Sequence, residues 1–398
     1  MWYYMLIREA DYDVNTTVGD YIFAFFPLFP LVWKLSLLPI TWVPLLNYVL
    51  FVTSLFLLFQ SHSWNRMSSA HNRILFLIAL TLPTIASFLM PYTEAVFAVT
   101  LAVALIGMMK GKYRMYFTGA LLAAATRPSG TLIIGALFVL DLIRNHKLPL
   151  TILLREYLKK ALPFALGTLL VGIYQHMVGS GSIFTFMDVQ KGWGTKLAVP
   201  HDIRDWSHES FGMTMAVIFF IMPAVLFVMY QLLLKLKNKG NDLPVRELFT
   251  APHEERKQYV FQFSAVYLGV MCLFAILFNG GNMHSIYRYI CCTPFFYVFL
   301  LHGEKQLEQI PTKLTPPVFS ILLLLGILFL SLVPYSTYWT FSDLGFFLLA
   351  GSVLLMITAR RFAQRKLYLG LLATHIFFSA LWTTWIFNML LSDAWISV

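Results

Sequence analysis

A succession of apolar runs fills most of the chain between residues 40 and 388, and this constrains the fold more than any other feature. The runs fall roughly at 40–60, 74–90, 92–109, 115–127, 130–143, 162–178, 213–235, 258–279, 288–302, 318–333, 344–358 and 368–388. A spanning helix needs about 20 mostly apolar residues, and several runs are shorter. The pattern predicts an all-α, polytopic integral membrane protein with about 10–12 transmembrane helices. Composition agrees. Hydrophobic residues make up 59% of the 398 and charged residues 12%, against about 45–50% and about 25% in a soluble chain. The surplus must face lipid. Pro128 and Gly130 break the pair 115–127 and 130–143, as is tolerated where protein or a cavity lies alongside. Phe23 to Pro39 carries Pro27, Pro30 and Pro39 and reads as a surface or re-entrant helix.

The net charge of +10 does not point to nucleic acid, because the basic residues form no soluble domain or tail. On a polytopic protein it reports orientation instead. Alternate connections, holding Arg66, Arg73, Lys110, Lys112, Arg114, Arg144 to Lys160, Lys235 to Lys257, Lys305 to Lys313 and Arg360 to Lys366, carry 22 of the 29 Lys and Arg. These are predicted to be cytoplasmic. The N-terminus and the segments near 91–94, 127–130, 179–212, 280–288 and 334–343 are then predicted to face outward. The whole of 1–398 reads as one membrane domain, with 1–39 as a first outer loop and surface helix and 179–212 as the longest outer loop. Cys272, Cys291 and Cys292 lie in apolar stretches without metal-ligand spacing and read as core residues. Met1-Trp2-Tyr3-Tyr4 lacks the basic start and cleavage site of a signal peptide.

Ionisable groups at membrane depth are costly, about 2.5–3.5 kcal/mol each on insertion scales, and persist when paired or lining a polar cavity. Four places stand out, all toward the predicted outer face. Glu94, in Pro91-Tyr92-Thr93-Glu94, is either a helix cap or a carboxylate presented to an outer cavity. Arg127, in Thr126-Arg127-Pro128-Ser129-Gly130, either snorkels or pairs with Glu94, or offers its fork of donors to a phosphate. The helix break is expected to open backbone amides beside it. The long outer loop holds Phe186, Asp188, Gln190, Lys191, Trp193 and Gly194, then His201, Asp202, Arg204, Asp205, Trp206, His208 and Glu209. Such a mix suits a sugar, whose apolar face stacks on rings and whose hydroxyls meet amides and carboxylates. It also suits an interfacial helix anchored by Trp. His201 and His208 have no third ligand in sequence, so no metal site is expected. Arg288, between Tyr287 and Tyr289, is either an interfacial anchor or a second cation for a lipid phosphate.

In this order, the pieces resemble the GPI mannosyltransferase II family and its bacterial relatives, polytopic glycosyltransferases of the GT-C type. Trp2-Tyr3 through Phe23-Ala24-Phe25-Phe26-Pro27-Leu28-Phe29-Pro30 resembles that family's first outer loop and following helix. Pro91-Tyr92-Thr93-Glu94-Ala95 is similar to its Pro-Tyr-Ser/Thr-Glu-Ala segment, and Arg127-Pro128-Ser129-Gly130 to its Arg-x-x-Gly signature. Phe186 through Gln190 to Trp193-Gly194 resembles its Gln-x-x-Trp-Gly segment, and Arg288-Tyr289 with Pro294 its late Arg-Tyr motif. The resemblance covers about residues 1–300. One departure stands out: the family's Trp-Asp pair, whose Asp is the presumed base, would fall just before Met1. The expectation is a chain truncated at its N-terminus, with Asp11 or Asp13 as substitutes and Glu9 and Asp20 behind them.

The resemblance implies a GT-C fold and an inverting transfer of mannose, or a related sugar, from a polyprenyl- or dolichyl-phosphate donor. The acceptor is a glycan or glycolipid on the extracytoplasmic or lumenal face. It implies a home in the bacterial inner membrane, or in the endoplasmic reticulum of a eukaryote. Arg127 and Arg288 are then expected to hold the lipid phosphate. Glu94, Asp188, Gln190 and Trp193 are expected to bind sugar. No cofactor is implied, the lipid-phosphate sugar being a substrate, and no Gly-rich phosphate loop marks a nucleotide-sugar site. Membrane lipids are the other expected partners. The alternatives are a multi-span transporter or lipid flippase, which shares broken helices but should have related halves, and a scaffold without catalysis.

Overall fold

The computed structural model describes residues 2–12, 19–63, 70–145, 148–192, 196–200, 208–238, 247–278, 281, 286–307, 315–332, 340–362 and 365–391. Among these the regular structure is helical, with no strand. The chain begins with α1 (Trp2–Ala10), a 3₁₀ turn over Gly19–Ala24 and α2 (Leu28–Ser36). Next come α3 (Val43–Ser63), α4 (Ala70–Leu80), α5 (Ala86–Leu89), α6 (Glu94–Lys110), α7 (Tyr113–Ala124), α8 (Gly130–Asn145) and α9 (Leu150–Met177). Then follow α10 (Thr185–Gly192), α11 (His208–Ala216), α12 (Met222–Asn238), α13 (His253–Phe278), α14 (Ile286–Cys291) and α15 (Pro294–Leu307). The last are α16 (Thr315–Leu332), α17 (Leu344–Phe362) and α18 (Lys366–Leu391).

Among the described residues four helical stretches are long and apolar enough to cross a membrane: Ile40–Ser61, Phe211–Leu234, His253–Phe278 and Lys366–Met389. A fifth is added if His71–Leu80 and Pro83–Leu89, which meet at a 47° bend, form one broken span. The architecture is that of a multi-pass membrane protein, with fewer full-length spans than the hydropathy runs predict. For three of the runs the difference lies in helix length. The runs at 92–109, 115–127 and 130–143 become helices of 17, 12 and 16 residues. At 1.5 Å per residue these reach roughly 18–26 Å, short of a hydrocarbon core of about 30 Å.

The most buried of the three is α6. α6 is wrapped by α3, α7 and α13, and its own apolar residues, from Ala95 to Met109, are mostly buried. Glycines let α6 and α7 approach closely. A Cβ on Gly119 would collide with the Ala104 backbone, and one on Gly107 with that of Tyr116. Small residues at helix contacts have this role in membranes, where dispersion replaces the hydrophobic drive.

Packing brings described parts of the two sets of connections to opposite ends of α6. At one end Arg256 and His253 of α13 hold the Met109 carbonyl at the end of α6, at 3.0 and 2.9 Å. At the same end Arg144 of α8 meets Glu255 and Gln262, both at 2.9 Å. At the other end α1, the 3₁₀ turn and α2 lie over the start of α6, the turn between α7 and α8, and α10. Phe26 packs edge-on to Phe186. Tyr12 donates to the Phe25 carbonyl at 2.5 Å, and Gln175 of α9 to that of Phe23 at 3.0 Å.

Candidate functional site

The site begins with one carboxylate. Glu94 is the first residue of α6 and is fully buried. Its Oε1 accepts a hydrogen bond from Nε of Arg288 at 2.5 Å and lies 3.2 Å from Nη1 of Arg127. Arg288 stands on the short α14, and Arg127 in the turn between α7 and α8. Both keep a little exposure, 18% and 13% of the side chain. Each guanidinium also lies over a ring: Arg288 is 4.7 Å from the Tyr92 centroid and Arg127 is 5.6 Å from that of Phe97. Such contacts strengthen when desolvated.

The surrounding wall is mostly aromatic. Tyr4 of α1 packs edge-on against Tyr92 and Phe29. Burial pushes the Tyr4 hydroxyl up to about 12, the Glu94 charge adds to this, and the Arg288 charge opposes it. It therefore stays a neutral hydroxyl at ordinary pH. Tyr267 of α13 lies beside Arg127 and Ser129. As a triad, Glu94, Arg127 and Arg288 carry one negative charge against two positive. The N-terminal dipole of α6 adds positive potential at the same point.

One expectation for this region is corrected. The break after Arg127 does not open amides toward a ligand. The Gly130, Thr131 and Leu132 amides donate to the carbonyls of Arg127, Pro128 and Ser129, at 3.4, 3.2 and 3.1 Å, so the chain closes its own turn. Glu94, read as either a helix cap or a carboxylate presented to an outer cavity, is fully buried. Oε1 is taken by the guanidiniums, and Oε2 is buried with no hydrogen-bond partner among the described residues.

Of Asp11, Asp13, Asp188, Gln190 and Trp193, only Asp11 and Asp188 have described side chains. Asp11 ends α1 in a left-handed conformation (φ 57), which Asp tolerates better than most residues. It accepts a 2.5 Å hydrogen bond from the Tyr174 hydroxyl of α9. Tyr4, which packs on Tyr92, lies seven residues earlier in α1, or about 10 Å along a helix axis. Asp188 is exposed on α10. Gln190 lies in the same helix, with its side chain outside the described residues, as are Asp13 and Trp193. His201, Asp202, Arg204, Asp205 and Trp206 also fall outside them. No group of three or more His, Cys, Asp and Glu suited to a metal occurs among the described residues.

Sequence reasoning missed the aromatic lining, Tyr4, Phe97 and Tyr267, because an aromatic in an apolar run reads as core. It also missed Gln175, which is 1% exposed and ties the first segment to α9. A second buried ion pair went unread as well, although Asp141 inside the run 130–143 carried the signal of an ionisable group at depth.

Comparison with models of protein families, with curated proteins and with solved structures finds no match.

Proposed function

We propose that this chain is a membrane glycosyltransferase of the GT-C type. It moves a sugar, mannose by the resemblance of its motifs, from a polyprenyl- or dolichyl-phosphate carrier to a hydroxyl of a glycan or glycolipid at the extracytoplasmic face. The observation that carries the reading is the convergence of Arg127 and Arg288 on one buried carboxylate. Two guanidiniums, a helix N-terminus and an aromatic wall form an electropositive, largely water-excluded site suited to the phosphate of a lipid. In the reaction the acceptor oxygen bonds to the sugar's anomeric carbon from the face opposite the phosphate. The bond from that carbon to the phosphate oxygen breaks, and the lipid phosphate leaves with the electron pair. Arg127 and Arg288 stabilise that charge as it develops. A carboxylate takes the acceptor proton, with Asp11 and Asp13 as its candidates. Asp188, Gln190 and Trp193 of the 179–212 loop are the candidates for holding the sugar.

The test is transfer from polyprenyl-phosphate mannose by the purified protein in proteoliposomes. Wild type should transfer, and Arg127→Ala should lose transfer while expressing normally. Full activity in Arg127→Ala would remove the proposed role. Movement of labelled lipid across the bilayer, without sugar transfer, would favour a transporter.

A further inference from the structure

Glu94 is poorly placed for gripping a sugar. It is fully buried, and among the described residues the oxygen that meets polar partners meets guanidinium. The two arginines do not hold it alike. Arg288 makes a short hydrogen bond at 2.5 Å. Arg127 makes only an ion contact, at 3.2 Å, and no aligned hydrogen bond joins that pair. Removing Arg127 from the carboxylate leaves a neutral Glu94–Arg288 pair and costs little. Removing Arg288 would sacrifice the tighter bond.

We infer that Glu94 is a positioning residue that serves as the resident counter-anion of the phosphate site: it holds Arg127 while the site is empty, yields it to an arriving lipid phosphate, and reclaims it as the lipid phosphate departs. The inference rests on the phosphate reading of Arg127 and Arg288. Charge gives it a purpose. The donor is a phosphodiester with a single negative charge. The product is a phosphomonoester with about −1.5 to −2 at pH 7. Two guanidiniums at a buried site favour the product over the donor, which would slow turnover. A resident carboxylate repels the more highly charged product more than the donor, and it keeps two like charges from facing each other in the empty protein.

The experiment uses the full chain in nanodiscs with undecaprenyl phosphate as the probe, reading both Kd and the shift in Tm. Glu94→Gln should bind the probe about tenfold more tightly than wild type. It should melt lower than wild type when empty, and the probe should raise its Tm by more than it raises that of wild type. A purely structural Glu94 would give a variant that the probe does not rescue. Glu94→Asp, which keeps the charge but shortens the reach to Arg127, should bind a few-fold more tightly. Equal or weaker binding by a folded Glu94→Gln overturns the inference. If that variant does not fold, equal or weaker binding by Glu94→Asp does so. Loss of binding in Arg127→Ala, without tightening in the Glu94 variants, removes this inference and leaves the phosphate reading standing. Equal probe binding by wild type and Arg127→Ala removes both.

Discussion

Two buried ion clusters sit at opposite ends of the bundle, and they are built by different rules. At the basic end Asp141 of α8 faces Lys160 of α9 at 2.7 Å, and Tyr259 of α13 donates to the same carboxylate at 2.9 Å. One cation meets one anion, and the helices are clamped. At the other end Glu94 meets two arginines. The stoichiometry decides what each cluster can do. In a one-to-one pair, losing either member strands a charge in low dielectric. In a two-to-one cluster, losing one cation leaves a neutral pair. The first arrangement suits holding helices together; the second keeps a cation that can be redirected.

This contrast can be broken by mutation. The largest effect should come from Asp141→Ala, which strands Lys160 and should cost about 3–5 kcal/mol, read as a lower Tm and folded yield. Asp141→Leu with Lys160→Met should recover most of the loss. A single variant as stable as wild type would end the contrast. Arg127→Ala should leave Tm nearly unchanged yet cut transfer by about 10²–10³-fold, the scale of one missing transition-state donor. A large Tm loss would make the triad a clamp like the other. Gln175→Leu removes the donor to the Phe23 carbonyl and should cost about 1–3 kcal/mol, seen as faster proteolysis within residues 1–39. The smallest effect should follow Arg288→Lys, which keeps the charge but loses the planar fork over Tyr92. Transfer should fall about tenfold, with Tm held.

Much of the fold was legible because hydropathy is a local signal. The runs at 40–60, 213–235, 258–279 and 368–388 each became a long apolar helix. The shorter runs were legible as helices but not as spans. Nothing in 115–127 says that it ends at Ala124 and packs on α6 through Gly119. Within the site, Glu94, Arg127 and Arg288 were each conspicuous as charges in apolar surroundings. That Arg127 pairs with Glu94 was one of two open readings. That Arg288, 194 positions away, meets the same oxygen was beyond sequence, as was the aromatic wall. The amides expected beside Arg127 were misjudged because a Pro-Ser-Gly break can close on itself as readily as it can stay open.

By itself the sequence determined that the chain is helical and membrane-embedded, and which few charges lie in apolar surroundings. Those properties depend on neighbours along the chain and on transfer from water to lipid. The tertiary structure decided which of those charges share a carboxylate, which oxygen of Glu94 is occupied, and that one cluster is balanced while the other holds two cations to one anion. These depend on the rotation and register of packed helices, where a turn of about 100° per residue separates a paired guanidinium from one facing lipid.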